Sequence, residues 1–400
     1  MFRVGQGWLI YEITGNPWSL GLVGAANAIP GIFFNLFGGV FADRLDKRRL
    51  IMFTQLTTGS LVFLLATLTL LDVVEAWHVL VVAFLAGGVE AFDNPARQAL
   101  YPHLIERKVM MSAVAMNSVI WQGTRIIAPG IAGILIDLIN TQSALYISGM
   151  GFVVLAVVMG RLKIPAIPRG ALGNPLQDIK EGLKFIKVHS VFSFLISMTF
   201  FNSFFGMAYV MLMPIFAVDI LDVGAKGQGL LLGMSGAGAL VNTLYIGARG
   251  SVPHRGLAII AGAVLFGLAV AAFALTAEYV GSLSLAMGLM FIMGIFNSLY
   301  MISIQSSLQI MVPDRMRGRV MGFYGMTWSI MPLGGLQASA LTSIWNAPIA
   351  IAAGGLAVAA FALGTSLFNS TVRNLSSNLS PIIDEAPQDT ALEPAVQKDD

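Results

Sequence analysis

Apolar runs of about 20 residues, broken by short polar stretches, recur along almost the whole chain, and about 20 such residues let a helix cross a bilayer. The runs predict spans near 2–13, 19–42, 50–72, 77–101, 110–137 and 142–162. After a polar connector they resume at 190–217, 228–248, 256–277, 280–310, 318–344 and 347–368, which makes twelve. The strict alternation that marks a membrane barrel strand is absent. The first run is anomalous. Only MFRVGQGWLIYEI precedes the turn signal TGNP, roughly half of a full crossing. Two explanations are open, a genuinely short helix or a start placed too far downstream, and the expectation is a truncated first helix.

Composition turns this pattern into a class. Hydrophobic residues make up 56% of 400 and charged residues 11%, well outside the range of water-soluble domains. A soluble core cannot hide that much apolar surface, whereas a bilayer can. The prediction is an all-α integral membrane protein. With no cysteine, disulfides and thiolate metal sites are excluded. No cleavable signal peptide is expected, because the first run lacks a basic leader and a small-residue cleavage site.

Net charge is only +2, but its placement is one-sided. Arg44, Lys47, Arg48 and Arg49 follow span 2; Arg107 and Lys108 follow span 4. Arg161, Lys163, Arg169, Lys180, Lys184 and Lys187 follow span 6, and Arg249 and Arg255 follow span 8. Arg315, Arg317 and Arg319 follow span 10, with Arg373 and Lys398 in the tail, so nineteen of 23 Lys and Arg share one side. The opposite connectors hold Lys226 against Asp72, Glu75, Asp137, Asp219, Asp222 and Glu278. Cytoplasmic loops carry the Lys/Arg excess. Both termini are therefore predicted to be cytoplasmic, in a multi-pass protein of the plasma (inner) membrane.

The chain also repeats itself. LGLVGAANAIPGIFFNLFGG aligns with QGLLLGMSGAGALVNTLYIG at an offset of 208, matching Gly21 with Gly229 and Gly39 with Gly247. ALYPHL and QIMVPDRM align at an offset of 211, matching Pro102 with Pro313. Two similar offsets near half the chain length predict two six-span pseudo-repeats, 1–162 and 190–369. The connector 163–189 carries a helix that Asn174 caps and Pro175 begins. Leu176, Ile179, Leu183 and Ile186 share one face of it, with Lys180, Glu181, Lys184 and Lys187 turned away, which predicts a helix lying on the membrane surface. Residues 370–400 form a polar, acidic tail predicted to be disordered.

GGVFADRLDKRRL, residues 38–50, resembles the signature between helices 2 and 3 of the major facilitator superfamily. Asp46 stands where that signature usually has glycine. FDNPARQALYPHL (92–104), VPDRMRGRVMGFYG (312–325) and WLIYEITGNPWSLGLVGAANAIPGIF resemble the branch containing macrolide-efflux proteins and enterobactin exporters. The resemblance covers nearly the whole chain except the tail. It implies the major facilitator fold and alternating access, with two bundles rocking about a central cavity. It also implies a conformational latch at Gly39, Asp43, Arg44, Arg48 and Arg49, in which Asp43 faces the start of helix 11 and the bases add contacts that break on inward opening. Arg125-Ile-Ile-Ala-Pro129-Gly130-Ile-Ala-Gly133 is similar to the helix 5 pattern of proton-coupled exporters, here with APGIAG in place of GPxxGG. Pro129 withdraws a backbone donor and Gly133 permits close approach, which predicts a bend.

Charges inside a membrane are costly, at least about 2.5 kcal/mol each. Glu90, Asp93 and Arg97 share one face of span 4, and Arg125 lies halfway along span 5. Asp93 is expected to pair with Arg97, and Glu90 with Arg125. Either these pairs are permanent struts or a carboxylate, Glu90 before Asp93, carries a coupling proton. Arg3 and Gln6 lie on the first helix; Arg3 is either an intramembrane charge facing the cavity or a terminal charge near water. Helices 1, 4, 7 and 10 are expected to line the cavity, with Asn202, Phe205, Asn297 and Tyr300 in contact with substrate.

GxxxxGK[ST] is absent, so ATP-driven pumping by this chain is not expected. The four histidines show no metal-ligand spacing, and no enzyme-like constellation stands out. The function expected is proton-coupled export of a small amphipathic compound, such as a drug or siderophore, by a monomer that needs no cofactor beyond the proton gradient. No nucleic-acid partner is expected. An uptake or lipid-type facilitator on the same fold, or a transport-inactive receptor, are the alternatives.

Overall fold

The computed structural model describes residues 1–100, 110–162, 175–249 and 254–368. Within those helices the side chains at 32, 35–44, 98–99, 110–119, 121–122, 125–126, 175–179, 314–315, 317–318 and 367–368 lie outside the description. Most described residues are helical, no strand occurs among them, and the helices follow the apolar runs. They are α1 (Phe2–Thr14), α2 (Pro17–Arg44), α3 (Lys47–Leu70), α4 (Ala76–Leu100), α5 (Met110–Leu138) and α6 (Thr141–Arg161). The connector helix α7 (Pro175–Val188) comes next. Eight of the described helices are long and apolar enough to cross a membrane.

Helix ends are where local chemistry predicts them. Gly15 takes a left-handed φ of 56° and its N–H bonds the Tyr11 carbonyl at 2.8 Å, closing α1. Pro17 opens α2, with Asn16 accepting from the Trp18 N–H at 2.9 Å. Asn140 caps α6 by accepting from the Ser143 N–H at 2.9 Å.

The seventh apolar run is less regular than its composition suggests. It consists of α8 (Ser190–Phe201), a π-helical turn at Asn202–Gly206, α9 (Tyr209–Ile215) and a second π turn at Phe216–Ile220. The wider turns are closed by Met207 N–H to Asn202 carbonyl at 2.9 Å and Leu221 N–H to Phe216 carbonyl at 3.0 Å. π turns of this kind concentrate at functional positions in helices. There follow α10 (Gly224–Arg249), α11 (Arg255–Val280) and α12 (Leu283–Met311). The eleventh run is split at Ile330 into α13 (Asp314–Ser329) and α14 (Met331–Thr342), because Pro332 has no N–H to continue the ladder. The last helix is α15 (Ala347–Phe368).

Before the connector, α2, α4, α3, α6 and α5 pack in that order, with α1 against several of them; after it, α10, α12, α11, α15 and α14 do the same around α8 and α9. The helix sets meet mainly along α5 with α10 and α2 with α14. Among the described residues, the closest backbone approaches between the sets lie at one end of the molecule, the end of connectors 71–75, 139–140, 221–223 and 343–346, in or beside which Asp72, Glu75, Asp137, Asp219, Asp222 and Glu278 fall. We call it the acidic end and its opposite the basic end. Backbones touch there. A Cβ on Gly133 would lie 2.3 Å from the Ala225 carbonyl oxygen, and one on Gly21 would lie 2.8 Å from the Leu336 Cα. Such close approach replaces side-chain interdigitation where lipid supplies no hydrophobic drive between helices.

The connector helix docks on the second helix set through Phe185 and Ile186. Phe185 and Ile186 are buried against Met316 and Val320 of α13, and Gly182 lets Phe323 approach, while Leu183 is exposed. Glu181, expected to face away, accepts from Arg319 of α13 at 2.5 Å. Leu183, expected on the face turned to the membrane surface, is left exposed, whereas Ile186 of the same face is buried. Asn174, Leu176, Ile179 and the tail 370–400 lie outside the described residues or side chains.

Candidate functional site

Three helices bring polar groups together inside the membrane-spanning part. Arg3 on α1 donates to the Glu90 carboxylate on α4. Arg3 lies 11 residues from the acidic end of α1, and Glu90 lies 14 residues into α4. At about 1.5 Å per residue these are depths of about 17 and 21 Å in a hydrocarbon layer about 30 Å thick. The pair is nevertheless open, with side chains 58% and 49% exposed. Beside it, Gln6 is fully buried and donates to the Val79 carbonyl at 3.4 Å, while Asn27 of α2 donates to the Gln6 side chain at 3.2 Å. The layer forms because α4 runs against α2 at Gly87, where a Cβ would come within 2.1 Å of the Asn27 carbonyl oxygen.

One turn towards the basic end, Asp93 accepts from Thr54 at 2.7 Å and Gln55 at 2.9 Å on α3, and from Arg97 at 2.5 Å. The expected Asp93–Arg97 pair is therefore present, and it ties α4 to α3. The described partner of Glu90 is Arg3; the expected pair of Glu90 with Arg125 falls on a side chain outside the described residues.

The signature after span 2 is only partly visible. Gly39, Asp43 and Arg44 lie in α2 with side chains outside the described residues. Arg48 donates to the last carbonyls of α6, to Met159 at 2.9 Å and also to Gly160, where a cation suits the negative helix end. Arg49 pairs loosely with Asp46 at 3.8 Å. Asp46, unusual for the signature, caps α3 by accepting from the Arg48 and Arg49 N–H groups at 3.0 and 3.2 Å. An acid directly before a helical run was the readable signal for that cap.

In the helix 5 motif, α5 runs through Pro129 without interruption. The motif forms a contact across the helix sets: Gly133 meets Ala225 and Gly229 of α10, and Gly229 in turn meets the Pro129 carbonyl and Gly130.

The four residues expected to touch substrate are placed elsewhere, and this is a correction. Asn202, Asn297 and Tyr300 are buried, with Asn202 donating to Asn297 at 3.4 Å. Tyr300 packs on α11 at Gly262, and Phe205 joins an aromatic cluster with Phe201 and Phe204 while its backbone meets Gly354 of α15. Asn202, Asn297 and Tyr300 sit inside the packing of the second helix set, and Phe205 is half-buried beside them. Amide and aromatic residues recur on several faces of α8 and α12, so the linear pattern did not select the face turned to open space.

One contact had no clear signal in the sequence. Tyr11 near the acidic end of α1 donates to the Asp219 carboxylate in the second π turn, bridging the two helix sets. Its partners are 208 residues apart, and only the π turns of the seventh span bring Asp219 round to α1.

Comparison with known proteins agrees with this architecture. The family described as transmembrane secretion effector matches residues 1–398. The staphyloferrin A transporter of Staphylococcus aureus (strain NCTC 8325 / PS 47) is 23% identical over 359 residues, covering 86% of each chain. The multidrug efflux pump Tap of Mycolicibacterium fortuitum is 26% identical over 347 residues, covering 84% of this chain and 83% of Tap. Among solved structures, an inward-facing, unoccupied bacterial homologue of the human lysosomal transporter Spinster superposes with a TM-score of 0.68 at 14% identity, over 94% of both chains. An all-α membrane fold, helix sets that meet at one end and a full-length family match lead to one conclusion: the chain is a transporter, not an enzyme, and belongs to the transmembrane secretion effector family of the major facilitator superfamily.

Proposed function

We propose that this transporter exports a small amphipathic compound by alternating access, in exchange for protons, with its basic end and both termini in the cytoplasm of the plasma membrane. The Arg3–Glu90 pair carries the reading. Charged groups at this depth that remain half exposed require water beside them. The closest described approaches between the helix sets lie at the acidic end, and in this scheme water enters from the basic end. The two six-helix units, 1–162 and 190–369, are then the rocking bodies, and the conformation described is the inward-open one.

Glu90 is the proton carrier in this scheme. Protonation removes its charge, releases Arg3 and changes the interaction that ties α1 to α4 before the cavity reopens on the other side. Asp93 has a different role, because three donors on two helices occupy it. The export direction is supported by the efflux and siderophore transporters among the relatives.

The test is flux in reconstituted vesicles with an imposed pH gradient and a fluorescent amphipathic cation. The native chain is expected to move the probe against the proton flow and to reverse when the gradient is inverted. Glu90→Gln is expected to lose gradient-driven movement while retaining probe exchange at equilibrium. Gradient-driven transport at the native rate in that variant overturns the assignment.

A further inference from the structure

A groove of about 790 Å³ runs between α8 and α15 at the basic end, apart from the Arg3–Glu90 layer. It exists because of the break at Ile330. Past that break α14 packs on α15, whereas α13 packs on α7 and α8. The flank of α15 nearest the basic end is thus left without the neighbour it has further along.

The groove opens sideways into the bilayer. Ile349, Leu356 and Leu363 form an exposed stripe on α15 at spacings of seven, the side turned to lipid. Ala360, a lip of the groove, lies on the edge of this stripe, and Gly364 follows directly after Leu363. A Cβ on Gly364 would meet nothing within 4 Å, so the space beside it is unfilled by protein.

Its mouth is charged and its wall mixes hydroxyls with apolar surface. Lys187, at the end of α7, stands at the mouth, and Lys180 and Lys184 are exposed on the same helix. Lys187 forms no ion pair among the described residues. Ser190 and Ser197 on α8 come next as exposed hydroxyls. Between and beside them the wall is apolar, with Phe194 buried and Phe361 stacked on Phe201 at 3.8 Å. From Ser190 to Ser197 the descent is about 10 Å, roughly two-thirds of one leaflet's hydrocarbon depth. A cation at the interface, a hydroxyl beside it and an apolar wall that runs on beneath it match one kind of molecule.

We propose that this groove binds an anionic phospholipid of the leaflet at the basic end, with its phosphate on Lys187, its ester region beside Ser190, and an acyl chain that passes Gly364 and Phe194 and reaches Phe361. The site is independent of proton coupling and of the transported compound. By holding α7, α8 and α15 together where α13 has turned away, the lipid completes the packing of the second helix set.

The test uses the full chain in phosphatidylcholine vesicles with trace spin-labelled phosphatidylglycerol or spin-labelled phosphatidylcholine, reading the motionally restricted fraction. The native protein is expected to hold phosphatidylglycerol in preference. Lys187→Glu is expected to cut that preference about fivefold, the effect of one interfacial cation, and Lys187→Arg to keep it. Gly364→Leu fills open space and is expected to reduce the restricted phosphatidylglycerol while leaving folding intact; if it fails to give monodisperse protein, the Lys187 pair of variants decides. No preference in the native chain, or an equal preference in Lys187→Glu and Lys187→Arg, overturns the proposal.

Discussion

The Tyr11 hydroxyl donates to the Asp219 carboxylate, joining the acidic end of α1 to the second π turn of the seventh span. Tyr11 is otherwise buried, and Gly15 closes α1 one turn later. The bond therefore ties a rigid helix end to the opposite helix set where the two sets meet.

Removing it is expected to loosen closure at the acidic end. A hydrogen bond to a charged group contributes about 1.5 kcal/mol or more, so Tyr11→Phe shifts the closed-to-open ratio roughly tenfold. The chain has no cysteine, which makes a single reporter clean. Gly7→Cys is suitable, because a Cβ there meets nothing within 4 Å. A membrane-impermeant maleimide added at the acidic side is expected to label it faster in Tyr11→Phe; an unchanged rate contradicts a gating role for the bond.

The glycine contact between α5 and α10 makes a second prediction. Gly133→Ala places a methyl group 2.3 Å from the Ala225 carbonyl oxygen, whereas Gly130→Ala meets nothing within 4 Å. Overpacking of this kind costs about 1–3 kcal/mol. The cost falls on the state in which the acidic ends touch. Gly133→Ala is expected to increase labelling from the acidic side, and Gly130→Ala to leave it unchanged.

The two intramembrane acids are expected to separate by readout. Asp93 is mostly buried and holds three donors, so Asp93→Asn leaves Arg97 without a counter-charge and costs about 3 kcal/mol. Its thermal midpoint should fall by several degrees in detergent. Glu90→Gln breaks a half-exposed pair and should melt close to the native chain. A large loss of stability in Glu90→Gln would make that pair a strut.

The connector helix offers the fourth comparison. Phe185→Ala removes a buried ring and is expected to cost about 3–4 kcal/mol of local docking, whereas exposed Leu183→Ala should be silent. Hydrogen exchange of the α7 amides measures both. Faster exchange with Leu183→Ala and not with Phe185→Ala would contradict docking through the Phe185 ring.

Much of the architecture is written in local chemistry. Helix positions follow from apolar runs because an unpaired backbone has no partner in lipid, so each run has little choice but to coil. Gly15, Pro17 and Asn140 mark their helix ends for reasons contained within a few residues. The Asp93–Arg97 pair is legible too, since the two residues lie one turn apart on a single helix. Pro332 could have signalled the break at Ile330, and Pro214 the irregular seventh span.

Partners between helices are another matter. Pairing Glu90 with Arg3, and Tyr11 with Asp219, requires knowing which helices adjoin and how each is rotated. In a soluble protein the rotation follows from hiding the apolar face. In a membrane both lipid-facing and buried faces are apolar, so hydropathy is almost silent on rotation, and Asn202, Asn297 and Tyr300 were assigned to the cavity when they lie in the packing. Span positions and the sidedness of charge were thus set by the chain's own pattern, whereas helix neighbours and facing side chains were decided by close backbone packing at residues such as Gly87 and Gly133.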